Sequence, residues 1–249
     1  MIILKSPEEI EKMIQACQLV AKTLDFLKDR VKPGVSTKQL DQLADDYIRE
    51  NNAIPAFKGY RGYPASICAS VNEEVIHGIP AARVLEEGDI LGIDLGVYKD
   101  GFYGDAAHTF PVGKIDPEAE RLIRITEESL YIGIDKARAG NRISDISYSI
   151  QKHIESNGFS VVRAFVGHGI GRDLHEDPQI PNFGAPGRGP RLKPGMTLAI
   201  EPMVNEGGYE VVVLDDGWTA ITMDGKLSAH CEHTILVTSG KPKILTLLN

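Results

Sequence analysis

The sequence has little cysteine, a single tryptophan and no long apolar run. The three cysteines, Cys17, Cys68 and Cys231, are odd in number, and none sits in a C-x-x-C pair. That pattern argues against a disulfide framework and fits the reducing cytoplasm. No apolar stretch approaches the roughly 20 residues that cross a bilayer, so no membrane partner is expected. The opening Met1-Ile-Ile-Leu-Lys-Ser-Pro lacks the long apolar region and small-residue cleavage site of a signal peptide. Positive charge is also scarce. The net charge is −8, which leaves no overall basic footprint for nucleic acid, although Lys22, Lys28, Arg30 and Lys32 could form a local patch. The remainder is ordinary for a chain with a full core: 249 residues, 42% hydrophobic and 25% charged, enough for one large domain or two small ones.

The most informative stretch runs from Gly88 to Phe110. Apolar strand formers flank Asp100-Gly101, a dipeptide suited to a two-residue hairpin turn whose central positions need φ > 0. With that turn, Lys99 faces Phe102, Gly96 faces Asp105 and Asp94 faces Ala107. Side chains alternate faces along a strand, so Asp94 and Asp105 fall on one face as diagonal neighbours, roughly 7 Å apart. Ile93, Leu95 and Val97 take the other face. Two partly buried carboxylates that close repel strongly unless a cation lies between them.

The rest of the chain reads as a repeat. Ser6-Pro7-Glu8 opens a helix that ends at Lys32-Pro33-Gly34, and Ser36 or Thr37 caps a second helix that stops at Asn51-Asn52. A loop and a strand from Ser66 to Val75 precede His77-Gly-Ile-Pro80 and the hairpin. From Asp116 the order restarts: Asp116-Pro117-Glu118 opens a helix, Gly140 breaks it, and Ser144 caps another that stops at Asn157. A strand from Val161 to Val166 leads to His168-Gly-Ile-Gly171, and Gly195 to Glu201 matches Gly88 to Asp94. Most landmarks are displaced by roughly 106 to 110 residues. The expected organisation is one catalytic domain over 1–249, with pseudo-symmetric halves of roughly 1–115 and 116–249. The fold class is α+β, with helix pairs on one face of a shared, mainly antiparallel sheet and the site on the other. The Gly/Pro-rich Ala185 to Pro194 is expected to be a loop at that site.

The repeat nominates Glu201 as the counterpart of Asp94. A last strand, Lys226 to Val237, then supplies Glu232 as the partner of Asp105, and His168 points from a glycine-rich loop into the cleft. Four carboxylates and one imidazole converging there require roughly two divalent cations, and an oxygen-rich set without thiolate suits Mn²⁺, Fe²⁺ or Co²⁺. The reaction class that follows is metal-assisted hydrolysis.

These residues carry a resemblance. Asn72 to Pro80, Ile93-Asp94, Gly104-Asp105, Val166 to Gly171, Leu174 to Pro178, Ile200 to Met203 and Glu232-His233-Thr234 resemble, in order, the motifs of the type I methionine aminopeptidases. That family has the pita-bread fold, two pseudo-symmetric halves with helix pairs on a curved sheet, shared with prolidases and aminopeptidase P. The resemblance implies Asp94, Asp105, His168, Glu201 and Glu232 as ligands of two metals, with Asp105 and Glu232 bridging. It implies that His77 and His175 contact the substrate and that Glu201 shuttles the proton. It maps Tyr60, Tyr63, Cys68, Leu174 and Trp218 to the methionine pocket, with Leu174 where the family often has an aromatic. It further implies initiator-methionine removal from nascent chains whose second residue is small, in a short, cytoplasmic, monomeric form with transient ribosome association.

Competing readings are weaker. His175-Glu176 lacks the second histidine of a zincin, since position 179 is Gln. Gly167-x-Gly169-x-Gly171 cannot open a dinucleotide-binding helix, because Pro178 and Pro181 follow. His108, His153 and His230 read as surface or core-edge residues, and His233 as structural, on the face opposite Glu232. A prolidase-like or X-Pro peptidase and a metal-free scaffold binding peptides or ribosomes remain the alternatives.

Overall fold

The computed structural model describes residues 1–248. It begins with α1 (Pro7–Lys28) and α2 (Thr37–Glu50), followed by β1 (Ile54–Pro55), β2 (Cys68–Val71), β3 (Glu74–Ile76), β4 (Ile90–Lys99) and β5 (Phe102–Pro111). Next come α3 (Pro117–Lys136), α4 (Ile143–Ser156), β6 (Ser160–Val161), β7 (Val166–Gly169), β8 (Glu176–Pro181) and β9 (Thr197–Ile200). The chain continues through β10 (Met203–Asn205), β11 (Val211–Val213), β12 (Ala220–Thr222), β13 (Ser228–His230), β14 (His233–Leu236) and β15 (Lys243–Ile244). The architecture is α+β, and every strand pairing is antiparallel.

The helix starts follow from their caps. Ser6 accepts from the Glu9 amide while Glu9 reaches back to the Ser6 amide, and Ser36 and Gln39 repeat that exchange. Asp116 accepts from the Glu118 amide ahead of Pro117. The fourth helix departs from expectation. Arg142, not Ser144, holds the cap position, with its amide bonded to Asp145, because Ser144 is engaged with the backbone of Arg188.

Hairpin β4–β5 has the expected register: Lys99 pairs with Phe102, Gly96 with Asp105 and Asp94 with Ala107. Leu91, Ile93, Leu95, Val97 and Ala106 then face Leu19, Val20 and Leu27 of α1 and Leu40 of α2 in one core. Gly104 is required on that face, since a Cβ there would lie 2.8 Å from the Cys17 amide nitrogen. A second core joins Leu122, Ile125 and Ile134 of α3 and Ile146 and Ile150 of α4 to Leu198, Ile200 and Ile235. Burial of this apolar surface, worth about 25 cal/mol per Å², fixes the helices on one side and leaves the other strand faces for polar groups.

The strands form four sheets rather than one. Strands expected to be continuous are broken. The stretch 66–75 turns at Asn72, which takes φ 58° and braces Ile90 and Asp89 with its amide. The stretch 161–166 breaks between β6 and β7, and 226–237 breaks at Cys231-Glu232. Across that last break, the Glu232 amide donates to Ala107 O at 2.8 Å, which joins the β13–β14 segment to β5. The 185–194 loop is bonded to the start of α4 through Arg188 and Pro190 and to Gly140 and Asn141 through Leu192, and none of its residues lines the cavity, contrary to expectation. The three cysteines are free and buried. No described helix is long and apolar enough to cross a membrane.

Asp45 of α2 anchors this layer to the chain ahead of β2. Its carboxylate accepts from Arg49 at 2.6 Å, Lys58 at 3.0 Å and Ser66 at 2.7 Å. Burial raises its pKa, but the donors from Arg49, Ser66 and Lys58 outweigh burial and hold it below the usual range. A depressed pKa contributes stability that is present above the unfolded value of about 3.8 and is lost as pH falls below it. Asp45→Asn is therefore expected to cost about 1–3 kcal/mol in urea denaturation at pH 7, with the gap from wild type narrowing below about pH 4.

Candidate metal centre

Strands β4 and β5 deliver Asp94 and Asp105 to the face opposite the helices. His168 sits at a bulge in β7, where Gly167 pairs with Ile180 and Gly169 with Glu176. Glu201 follows the end of β9, and Glu232 occupies the break between β13 and β14. These five line one cavity of about 280 Å³. His77, His175, Tyr60, Tyr63, Cys68, Leu174 and Trp218 line the same cavity, so every expected site residue is brought together.

Local interactions hold the acids in place. Thr234 Oγ1 donates to Asp105 O at 2.7 Å and accepts from the Asp105 amide at 3.2 Å. His168 Nδ1 lies 2.9 Å from Gly169 O, which can only accept, so the ring proton sits on Nδ1. Nε2 is left as a bare donor of electrons, 3.5 Å from Glu201 Oε1. Asp105, His168 and Glu232 each offer an atom within 4.8 Å of the others'.

The electrostatics are unfavourable for carboxylates alone. Burial raises Asp94 to about 7. Burial, then the charges of Glu232 and Asp94, raises Asp105 well above its ordinary value. Glu201 and Glu232 are raised for the same reasons, burial first and neighbouring carboxylates next. Asp94 Oδ1, Asp105 Oδ1 and Glu232 Oε1 are buried and have no protein donor. Buried oxygens without donors, beside a deprotonated imidazole nitrogen, form a donor set suited to divalent cations. The residues fit the group they were expected to hold.

The cavity walls divide by chemistry. His77 lies at φ 61°, an uncommon conformation for a non-glycine residue, and its ring meets Phe165 and Trp218 edge-on at 5.7 and 6.2 Å. Burial, then the nearby His175, lowers its pKa to about 4. His175 stacks on Tyr60 and bonds its hydroxyl through Nδ1 at 2.9 Å. The pKa of His175 is lowered too, by burial and then Arg61, so both rings are neutral at pH 7. Burial, then Asp94, pushes the Cys68 thiol well up, which makes it an apolar wall. Asp216 accepts from the Trp218 and Thr219 amides and sets the turn that presents Trp218.

Phe57, Ile76 and Phe165 also line the cavity and were not expected. Phe165 has a signal in its position directly before Val166-Gly-His168, whereas the other two have none. His230 is more central than expected. It is buried, and its Nε2, without a protein partner, lies 4.0 Å from Glu201 Oε2. His108 is half-buried beside Cys231, and His153 faces Glu128. His233 bonds Thr246 and faces away from the cavity.

Comparison with known proteins gives a consistent picture. The model of metallopeptidase family M24 matches residues 11–239. A methionine aminopeptidase of Clostridium perfringens is 58% identical over 248 residues, covering 100% of both chains. The crystal structure of a methionine aminopeptidase from Thermotoga maritima superposes with a TM-score of 0.98 at 50% identity, covering 99% of this chain and 100% of that one. A prolidase from Pyrococcus furiosus gives 0.82 at 23% identity, covering 99% of this chain and 66% of that one, a likeness of fold alone.

Two outcomes follow from the geometry. Acids whose folded pKa values are raised favour the fold below their unfolded values of about 4, and that contribution is lost as pH rises through the folded values. In EDTA-treated protein the calorimetric melting temperature should therefore fall from pH 6 to pH 8, less so in Asp94→Asn, and added Mn²⁺ should remove the slope. Thr234→Val, which keeps the volume but releases Asp105, should cost about 1–3 kcal/mol in urea and weaken Mn²⁺ binding by about tenfold or more in titration calorimetry.

Proposed function

The chain belongs to metallopeptidase family M24, and from that membership and its relatives we infer that it removes the N-terminal methionine of polypeptides. It is a metal-dependent exopeptidase of the hydrolase class. We propose that the reaction uses two divalent cations, Mn²⁺, Fe²⁺ or Co²⁺, which Asp94, Asp105, His168, Glu201 and Glu232 would hold. The observation that carries this reading is the convergence of four buried carboxylates and one imidazole in a single cavity. Cations bound there supply water activation at neutral pH.

The protein's own groups do the rest. Glu201, which lines the cavity among these acids, takes the proton of the attacking water and delivers it to the leaving amine. His77 and His175, neutral at working pH, hold the scissile amide by hydrogen bonds without adding charge. Tyr60, Tyr63, Cys68, Leu174 and Trp218 enclose the methionine side chain. The aliphatic Leu174 fits an unbranched thioether, and Phe165, packed on His77, lines the same cavity. The residue after methionine must be small for the scissile carbonyl to approach the acids.

The proposal extends to physiology: a cytoplasmic monomer acting on nascent chains, with transient ribosome association and no specific nucleic-acid binding. It also takes 1–249 as one catalytic domain with related halves. Support comes from the recurrence of two helices followed by strands that carry acids to the cavity.

With Mn²⁺ present, a Met-Gly-x peptide should be cleaved after methionine and Gly-Pro should not, as read by chromatography of released amino acids. Asp105→Ala should abolish turnover while circular dichroism stays unchanged. Cleavage of Gly-Pro instead would support a prolidase-like activity, and turnover retained by Asp105→Ala would remove the metal mechanism.

A further inference from the structure

Remote segments of the chain meet at the turn that carries His175. Lys5, just ahead of α1, buries its ammonium against Glu176, with Nζ 2.5 Å from Oε2 and the two side chains 1% and 7% exposed. The other oxygen of Glu176 accepts from the backbone amides of Arg172 and Asp173 at 2.8 and 3.4 Å. One carboxylate thus ties Lys5 to the turn that precedes Leu174 and His175. The lysine stem occupies the space beside Gly171, where a Cβ would lie 2.1 Å from Lys5 Cε. The Lys5 backbone is itself fixed, its amide donating to Gly195 O at 2.8 Å.

We propose that Lys5 is a positioning residue for the aminopeptidase reaction, acting through Glu176 to hold the 171–176 turn and so the His175 imidazole and the Leu174 wall. The proposal rests on the function inferred above. A buried ion pair stabilises no better than a well-packed apolar pair, and often less. Its use here is directional: it keeps the Glu176 carboxylate aimed at two amides that no apolar residue could satisfy. The neighbouring Arg172–Glu9 contact, 62% and 22% exposed, is a surface pair and a poor substitute. From the turn, His175 reaches Tyr60 and lies 4.2 Å, centroid to centroid, from His168. A displacement of the turn is therefore transmitted directly to the cavity.

The test compares Mn²⁺-loaded wild type, Lys5→Met and the double variant Lys5→Met/Glu176→Gln. The glutamine keeps an acceptor for the amides without leaving a buried charge. In Lys5→Met, amides of 171–177 should exchange with deuterium at least about tenfold faster while those of 88–110 are unchanged, and kcat/KM on a Met-Gly-x peptide should fall about tenfold. The double variant should recover most of both. Unchanged exchange at 171–177, equal acceleration in both segments, or a double variant as impaired as the single one would overturn the proposal. If wild type fails to cleave the peptide, the function reading falls, and the exchange comparison still decides whether Lys5 fixes the turn.

Discussion

Mutual repulsion among four buried carboxylates is the constraint on which the molecule depends. Asp94, Asp105, Glu201 and Glu232 lie in one cavity, each raised in pKa by burial and most also by its neighbours. No arrangement of these groups alone is comfortable, because ionisation costs Coulomb energy and protonation forfeits their use as ligands. The fold must therefore hold in place a cluster that would otherwise separate. It does so with backbone and hydroxyl contacts, such as the Thr234 clamp on Asp105 and the Glu232 amide on Ala107. Rigid, neutral supports bring like charges together without adding charge of their own.

That requirement explains where the apolar layers sit. The helices cover only the strand faces that carry Ile93, Leu95, Val97, Leu198 and Ile235, which leaves the opposite faces for acids. The acids come from two sheets, β4 and β5 in one and β9 and β14 in the other, joined at the centre by the Glu232 amide on Ala107 O rather than continuous. Thr109 ties β5 to β13, donating to His230 O and accepting from the His230 amide. A continuous sheet would place side chains in regular alternation. A broken one lets Glu232 leave the alternation and turn toward Asp105.

How much could be read from the sequence follows from the range of the forces involved. The β4–β5 register was legible because Asp100-Gly101 fixes it locally and period two does the rest. The helix caps at Ser6 and Asp116 are legible for the same reason, and the second cap to within one residue, Ser36 or Thr37, of which the structure has Ser36. Asp94 and Glu201 are legible because their spacing after glycine recurs, Asp105 from the hairpin register and Glu232 as its counterpart on the last strand, and the aromatic pocket only through resemblance. The breaks at Asn72 and Cys231-Glu232 were missed, since each is set by a contact with a distant strand. The cap of α4 falls at Arg142 rather than at the expected Ser144 because Ser144 bonds Arg188, a partner far along the chain. Phe57 and Ile76 had no local pattern that would distinguish them from core.

The cavity also separates the functions of its histidines by environment. His168 directs its proton to a carbonyl and leaves Nε2 bare. His77 and His175 are neutral but line the open part of the cavity, where hydrogen bonding to an amide is their available chemistry. His230 is enclosed behind Glu201, its pKa lowered to about 3 by burial and then by His77. An imidazole that stays neutral beside a cluster of acids contributes direction without charge. A lysine or arginine there would neutralise one acid and compete with the cations the cluster fits. The same logic keeps every side-chain ammonium and guanidinium away from the five inner residues, with Arg61 at the rim the only one lining the cavity among the described residues. Net positive charge is thus withheld from the centre, and the acids retain their capacity for metal.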